Sequence, residues 1–285
     1  MLKIENICKT YINKGDSCVA NDNISLEVEK KDVVGILGSN GAGKTTLMKI
    51  VSNLVKQTSG KVYWDGLSLD EHKYIVKDKI SILLEGTRNL YDFLTVEDNI
   101  NYFALLNNVE GKSCKNRKDY LLKYFDLYEK KHTIVNNLSR GMKQKLALIV
   151  ALLKKPELLI LDEPTLGLDI NSRFDITELI KKITHEMKIT TLVCSHDLEF
   201  IKEISNKIAV FDKGKLIKYD YINNFIMKSS YLEYEILFKG DNGLEKIITN
   251  DLQKKLTEIS IDKIIKIEQT GNSIEKYLEG LRKNG

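Results

Sequence analysis

Short apolar runs rich in β-branched residues alternate along the chain with longer stretches in which apolar residues recur at helical spacing. The runs at residues 33–37, 79–84, 158–161, 190–194 and 207–211 predict five strands. Strands that are apolar on both faces and alternate with helices are typical of a parallel sheet covered by helices. The pattern therefore predicts an α/β fold.

The stretch between the second and third predicted strands, residues 86–155, shows helical spacing throughout. Its segments TVEDNINYFALL, KDYLLKYFDLYEK and SRGMKQKLALIVALLKK each read as helices. We therefore expect a helical subdomain, residues 86–155, inserted into the α/β core.

The character of the chain changes after residue 220. We expect residues 1–220 to form the main domain and residues 221–285 to form a small α+β appendage. The appendage is small for independent stability, so it should pack on the main domain or on a partner. Its predicted elements are a strand at 231–238, a helix across 244–259, a strand at 263–268 and a helix at 273–281.

A glycine-rich segment, GSNGAGKTT, follows the predicted strand at residues 33–37 and opens a helical pattern. Its spacing is that of a phosphate-binding P-loop. Glycines let backbone amides approach phosphate oxygens, Lys44 can reach the terminal phosphates, and the Thr45 hydroxyl can ligate Mg²⁺. The alternative is a glycine-rich turn that merely starts a helix. The residues predicted to bind the nucleotide are Gly38, Ser39, Asn40, Gly41, Ala42, Gly43, Lys44, Thr45 and Thr46.

Two further predicted strands end in polar residues suited to phosphate chemistry. The segment LLILDEPTLGLD ends its strand in two carboxylates, which we assign to the Mg²⁺ shell (Asp162) and to the attacking water (Glu163). The alternative is a strand-end turn with solvated acids. His196 follows another strand end, where it could meet a γ-phosphate, although histidine is also common as an ordinary loop residue.

Composition narrows the class of protein. The 44 basic and 40 acidic residues are well mixed and give a net charge of +4, which argues against a nucleic-acid partner. The four cysteines show no paired spacing, so we expect neither a zinc site nor a disulfide framework. No apolar run approaches the roughly 20 residues of a membrane span, and the N-terminus lacks a signal-peptide pattern. We expect a cytoplasmic protein unless a partner holds it at a membrane.

The P-loop, then LSRGMKQK, then LLILDEPTLGLD, then CSHD is the order of motifs in the ATP-binding subunits of ABC transporters, and residues 2–218 resemble that family. The resemblance implies a RecA-like P-loop NTPase core that hydrolyses ATP with Mg²⁺. It also implies that two ATP-binding subunits, as a homodimer or a heterodimer, sandwich two ATP molecules head to tail. A separately encoded integral membrane permease is the second implied partner, which would place the chain at the cytoplasmic face of the membrane.

The resemblance also assigns roles to individual residues. It implies that Tyr11 stacks on adenine and that Ser139 and Gly141 form the signature that faces the P-loop of the opposite subunit. Asp169 would lie in the loop that crosses the dimer interface, and His196 would sense the γ-phosphate.

Two departures from the family pattern stand out. Arg140 and Met142 replace a glycine and a glutamine of the usual LSGGQ signature, and Glu85 stands where glutamine is usual. Glu85 could meet Mg²⁺ or the nucleophilic water, or it could be a solvated loop acid. The departures and the C-terminal appendage resemble the branch that exports drugs, antibiotics and peptides.

Residues 86–101 correspond to the region where this family receives a helix of the permease. Tyr91, Phe93 and Leu94 are apolar residues in an expected loop, so they form either a docking surface or a minor core cluster. The main alternative functions are a soluble ABC ATPase of translation or DNA repair and a regulatory or self-immunity module with an impaired site. One cassette without long heptads disfavours the former, and Lys44, Glu163 and His196 disfavour the latter.

The stretch LSRGMKQK places three cations near a predicted helix N-terminus, where they oppose the helix dipole. An anion that arrives from a second subunit would explain this arrangement. Lys143 and Lys145 also fit a plain solvated helix face, whereas Arg140 is predicted to be a phosphate-facing or interface charge.

Overall fold

The computed structural model describes residues 1–13, 16–72, 78–86, 90–109, 111–228, 234–240, 243–249, 252–259 and 263–269. The chain divides into two compact units, residues 1–219 and 220–285. Within the described ranges, no helix is both long and apolar enough to cross a membrane.

The described strands form three sheets. In chain order, the strands are β1 (Leu2–Asn13), β2 (Asp16–Val28), β3 (Val33–Gly38), β4 (Ser59–Trp64), β5 (Leu67–Ser68), β6 (Ile80–Leu83), β7 (Leu158–Asp162), β8 (Thr190–Ser195), β9 (Lys207–Asp212), β10 (Lys215–Tyr221), β11 (Tyr234–Gly240), β12 (Gly243–Thr249) and β13 (Ile264–Gln269).

The described helices connect or cover these sheets. They are α1 (Lys44–Val51), α2 (Val96–Leu106), α3 (Gly111–Tyr124), α4 (Arg140–Leu152), α5 (Ile170–Met187), α6 (Leu198–Ile204), α7 (Ile222–Lys228) and α8 (Leu252–Glu258). Two short 3₁₀ helices, Tyr128–Lys130 and Val135–Asn137, precede α4.

The central sheet has the strand order β10-β9-β3-β8-β7-β6. From β9 to β6, each strand pairs in parallel with the next one in this order. The strands β3, β7, β8 and β9 are buried along their whole length. The five predicted strands and the α/β class are therefore confirmed. Because the carboxyl ends of parallel strands share one edge of a sheet, the segments after β3, β7 and β8 emerge together. This edge carries the candidate site.

An antiparallel sheet of order β2-β1-β4-β5 lies at the N-terminal end of the chain, and the sequence pattern did not predict it. Its inner face joins the central sheet and α1 in one apolar cluster that includes Ile4, Ile24, Trp64, Ile36 and Leu47. Register shifts interrupt the pairing of β1 with both neighbours, so the alternation of polar and apolar residues is broken along that strand. The sheet matters for function because β2 lies against the P-loop.

The described part of the segment between β6 and β7 contains the helices α2, α3 and α4. Side chains cap two of its helices, since the Thr95 hydroxyl accepts from the Asp98 amide and the Ser139 hydroxyl accepts from the Met142 amide. Helix α4 contacts the helices α2, α3 and α5 and the edge strand β6. It therefore connects the helical segment to the central sheet.

The second unit contains a three-stranded antiparallel sheet with β11 in the centre. The prediction of one helix across residues 244–259 is wrong in its first half, because this part forms β12 and pairs with β11, with Ile247 opposite Ile236. Adjacent β-branched residues here fit the sheet better than a helix. The described part of the predicted strand at 231–238 is β11, and the predicted strand at 263–268 corresponds to β13. The helix predicted at 273–281 lies outside the described residues.

Candidate nucleotide-binding site

The P-loop connects β3 to α1 through glycines in left-handed conformations. Gly43 precedes α1 with φ 94°, and a Cβ atom at this position would lie 2.1 Å from the Ala20 carbonyl oxygen. Only glycine fits there, for both conformational and steric reasons. Among the described residues, no side chain caps the helix that follows. The first amides of α1 are therefore left for an anion, which the helix dipole favours.

Lys44 is the first residue of α1 and is buried. Its ammonium group donates to two carbonyl oxygens of its own loop, those of Gly38 at 2.7 Å and Ser39 at 3.0 Å. Both partners are neutral, and within the described part of the chain the ammonium group forms no ion pair. A phosphate placed over the loop would supply an ionic partner.

Two oxygen ligands suited to Mg²⁺ meet beside the P-loop. The Thr45 hydroxyl donates to Asp162 Oδ1 at 3.1 Å, and Asp162 is almost completely buried. Its other oxygen, Oδ2, is buried without a hydrogen-bonding nitrogen or oxygen partner in the described part of the chain. An orphaned carboxylate oxygen next to a hydroxyl fits a hard divalent cation.

Burial raises the pKa of Asp162, while hydrogen bonds from Thr45 and Cys194 and the nearby charge of Lys44 act in the opposite direction. A bound cation would favour the ionised carboxylate. No cluster of three or more acidic, histidine or cysteine side chains suited to a metal exists among the described residues. The protein therefore offers only part of a coordination shell, and water and phosphate oxygens would complete it.

Glu163 follows β7 directly and points toward the end of β8. Its carboxylate accepts from the Ser195 hydroxyl at 3.2 Å and lies 3.0 Å from His196 Nδ1. Its backbone adopts φ 48°, which is uncommon outside glycine, and its amide donates to the Cys194 carbonyl. The turn thus directs a largely buried carboxylate toward the edge where the P-loop begins, in contact with a half-exposed histidine.

The signature segment starts α4 and packs against the start of α5. A Cβ atom at Gly141 would lie 2.8 Å from the Ser172 hydroxyl, so the two helix N-termini are in close contact. Asp169 caps α5 by accepting from the amide and the hydroxyl of Ser172, and these hydrogen bonds lower its pKa. The Arg140 guanidinium lies against Gly167, in the loop between β7 and α5. No hydrogen bond or ion pair between described residues joins the signature to the P-loop of the same chain.

Two predicted site residues stand apart from this cluster. Tyr11 lies on the outer part of the β1–β2 hairpin opposite Cys18, with an exposed ring that has Lys9 Nζ 4.8 Å from its centroid. Strand β2 contacts the P-loop at Ala20. The partner of Tyr11, Cys18, lies two residues away along β2, which corresponds to about 7 Å. Glu85 is exposed just after β6, and no described residue hydrogen bonds to its carboxylate.

The predicted docking loop is joined to the signature helix. Lys143 Nζ lies 2.8 Å from the Asp92 carboxylate, and the side chain of Lys143 is only 14% exposed. The Asp92 carbonyl also accepts from the Asn136 amide, just before the signature. The interpretation of Lys143 as a solvated lysine is therefore wrong, because this loop gives it an acidic partner.

Of the two interpretations of this loop, Tyr91 fits the minor core cluster and Phe93 fits the docking surface. Tyr91 packs with Tyr102 and Phe103 in an aromatic cluster, and buried Asn99 holds its backbone through two hydrogen bonds. The side chain of Phe93 is 92% exposed. One residue of the pair therefore belongs to a local cluster, and the other is open to a partner.

The sequence motifs missed several residues at the site. Ser195, which bonds Glu163, was indicated only by its position before His196. The Asp92–Lys143 pair and the contact of Asn21 with the P-loop join residues far apart in the chain, so no local pattern points to them.

Comparison with known proteins is consistent with this geometry. Residues 21–166 match the sequence family described as ABC transporter. The ATP-binding protein NatA of Bacillus subtilis is 33% identical over 217 residues, which cover 76% of this chain and 88% of that protein. The chain belongs to the ABC transporter family. It is the ATP-binding subunit of an ABC transporter, and it hydrolyses ATP with Mg²⁺.

Another relative and two solved structures extend the comparison. The methionine import protein MetN of Histophilus somni is 32% identical over 284 residues, 98% of this chain and 82% of that protein. The cassette MJ0796, solved as a dimer bound to ADP and phosphate, superposes with TM-score 0.70 at 28% identity and covers 78% of this chain and 99% of its own. The cbiO1 subunit of Clostridium perfringens, part of the cbiONQ transporter complex, gives TM-score 0.70 at 27% identity, over 80% of this chain and 91% of its own. These structures carry the P-loop NTPase fold of ABC ATPases.

Proposed function

We propose that two copies of this chain close around two molecules of ATP and that the cycle of closing and hydrolysis drives a separately encoded membrane permease. The observation that carries the proposal is the separation of the site into two parts. Lys44, Thr45, Asp162 and Glu163 lie at one sheet edge, whereas Ser139 presents another helix N-terminus that no hydrogen bond or ion pair among the described residues joins to the P-loop. Head-to-tail pairing would complete both parts, and the dimeric structure of the MJ0796 cassette supports pairing of this kind.

The residues at the sheet edge have distinct roles in this proposal. The P-loop amides and Lys44 bind and orient the phosphates, and Thr45 and Asp162 hold Mg²⁺, which neutralises phosphate charge. Glu163 orients the attacking water and takes its proton, while Ser195 and His196 hold the Glu163 carboxylate in place. His196 is exposed enough to contact the γ-phosphate directly. Tyr11 stacks on adenine, and Glu85 meets the metal or the water when the site is closed.

The signature contributes from the opposite copy. Ser139 and the amide of Gly141 face the γ-phosphate, and the positive charges of Arg140 and Lys145 near this helix end become favourable once an anion is present. Arg140 extends over the loop that leads to Asp169, so it is placed to bring positive charge to the same interface. Its replacement of a signature glycine is thus an added interface charge.

The permease is proposed to dock on the helical segment near residues 86–101. An open groove of about 480 Å³ lies between the edge strand and this segment, and it is lined by apolar and amide side chains that include Leu54, Leu83, Tyr91, Phe103, Asn107 and Val150. This composition fits an amphipathic helix. Docking there would keep the chain at the cytoplasmic face of the membrane. The Asp92–Lys143 pair would then connect the docked helix to the signature.

Replacing Phe93 with Asp is expected to release the chain from its permease. The substitution puts a charge on an exposed apolar contact without removing buried packing. The measurement is co-purification of the permease from detergent-solubilised membranes of the source cells, scored by mass spectrometry. Tyr120→Asp is the matched control, because Tyr120 is an exposed aromatic residue on α3 outside the docking loop. Equal retention of the permease by both variants would contradict the docking assignment.

We propose that the transporter exports its substrate, a drug, an antibiotic or a peptide. Glu85, Arg140 and Met142 depart from the usual family residues in the manner of the exporter branch. Import is the second candidate, because a methionine importer aligns over 98% of this chain. Cells whose only copy carries Lys44→Ala should become sensitive to drugs or peptide antibiotics while they take up labelled methionine normally. Loss of methionine uptake with unchanged sensitivity would favour import.

A further inference from the structure

Two carbonyl groups of the P-loop are held by residues from outside the loop. The Ala42 carbonyl accepts from the Gly214 amide at 3.1 Å, in the turn between β9 and β10. The Gly43 carbonyl accepts from the side-chain amide of Asn21 at 3.1 Å, in addition to its helical bond from the Leu47 amide. The Gly214 carbonyl in turn accepts from the Asp22 amide at 2.8 Å. Strand β2, the turn and the P-loop therefore form one hydrogen-bonded brace.

The direction of a carbonyl fixes the direction of the next amide. In a planar trans peptide, the C=O of one residue and the N–H of the next point in opposite directions. Holding the Gly43 carbonyl toward β2 and the helix therefore turns the Lys44 amide away from them, out of the N-terminus of α1. This amide is one of the groups that a phosphate would accept from.

Asn21 is difficult to explain as a folding residue alone. It is fully buried in a strand whose other buried residues are Ile24, Leu26 and Val28. Its Oδ1 has no hydrogen-bond partner in the described residues, which is unfavourable for stability. A leucine would fill the same kind of position without that penalty. The group that makes Asn21 useful is its NH₂, which reaches the Gly43 carbonyl.

We propose that Asn21 is a positioning residue of the nucleotide site, which sets the Lys44 amide for binding phosphate by fixing the Gly43 carbonyl. It acts through Gly43 and does not itself contact the nucleotide. The proposal depends on ATP binding by this chain and is independent of the permease and of the direction of transport.

The test measures two quantities for each variant of the 285-residue chain, the affinity for MgADP and the midpoint of thermal unfolding. Asn21→Leu should weaken MgADP binding, measured by titration calorimetry, by about threefold to tenfold, the usual worth of one hydrogen bond. The unfolding midpoint of the free protein should be unchanged or higher, because the orphaned oxygen is gone. Asn21→Asp keeps the shape, lacks the donor and adds a negative charge near the phosphates, so it should weaken binding further.

Ser25→Ala is the control in the same strand. It removes hydrogen bonds between Ser25 and Asn6, away from the P-loop, and should leave MgADP affinity unchanged. Unchanged affinity in Asn21→Leu would overturn the proposal, because a loss confined to Asn21→Asp is explained by its added charge alone. A lower unfolding midpoint with normal affinity of the folded protein would also overturn it, since that is the signature of a purely structural residue. If Asn21→Leu does not fold, the affinity of Asn21→Ala decides, because this variant also lacks the donor and adds no charge.

Discussion

Replacing Glu163 with Gln is expected to reduce steady-state ATP hydrolysis by about 10²- to 10⁴-fold, the usual worth of a general base. Glutamine has nearly the same shape and can still accept from Ser195, but it cannot take a proton from water. The P-loop and the Thr45–Asp162 pair are untouched, so ATP binding should persist. The expected product is a dimer that closes around ATP and does not reopen.

The phosphate-release rate and the molecular mass in MgATP test this result together. The chain has a mass of 32.6 kDa, so the trapped dimer should elute near twice that value in size-exclusion chromatography. Glu178→Gln, on the outer part of α5, is the matched control and should hydrolyse ATP normally. Hydrolysis that is unchanged in Glu163→Gln would remove Glu163 from its proposed role.

Replacing Lys44 with Ala is the second substitution with a large expected effect. The ammonium group is buried and held over the loop by two carbonyls, so its removal deletes the main positive charge at the phosphate position. Charge-assisted hydrogen bonds contribute about 1.5–3 kcal/mol each, which predicts MgATP affinity weaker by about 10- to 100-fold. Equilibrium titration with a fluorescent ATP analogue measures this change.

Lys49→Ala provides the comparison for Lys44, because Lys49 lies on the same helix in its last turn. Its affinity for ATP should match that of the unmodified chain. If both variants bind ATP equally well, the phosphate contact assigned to Lys44 is wrong.

The sequence predicted the central sheet well because its strands have a simple physical signature. Buried parallel strands such as β3 and β8 are apolar on both faces, so continuous runs of valine, isoleucine and leucine mark them. The N-terminal sheet was not predicted, although Ile24, Leu26 and Val28 alternate along β2. Bulges in β1 interrupt the same alternation, which hid the pairing of these strands.

The C-terminal unit shows the opposite error. Leu244, Ile247 and Ile248 fit helical spacing, but they lie in β12 because β11 offers a paired edge. Short apolar segments are ambiguous between helix and strand, and the decision depends on tertiary partners that spacing does not contain.

The site follows the same division between local and distant information. The P-loop depends on a short run of residues, so its spacing alone placed Lys44 and Thr45 at the start of a helix. The contact between Glu163 and His196 depends on neighbouring strands β7 and β8, which the fold class already implied. The Asn21 and Asp92 contacts depend on pairs that no motif links. The roles of Tyr11 and Glu85 stay predictions, since they depend on a closed, nucleotide-bound state.

The most direct test of the two-part site mixes two variants that should each hydrolyse ATP poorly, each for a different reason. Lys44→Ala removes the P-loop charge. Ser139→Asp keeps a good helix cap but places a negative charge where the signature would meet the γ-phosphate. A pair that contains one chain of each kind has one intact P-loop facing one intact signature.

Equal mixing should therefore restore ATP hydrolysis to about a quarter of the unmodified rate, because half of the randomly formed pairs hold one intact site of two. The measurement is phosphate release by the mixture compared with each variant alone at the same total concentration. Recovery well above both variants is the predicted result. A mixture no more active than its components would contradict a site shared between two copies of this chain.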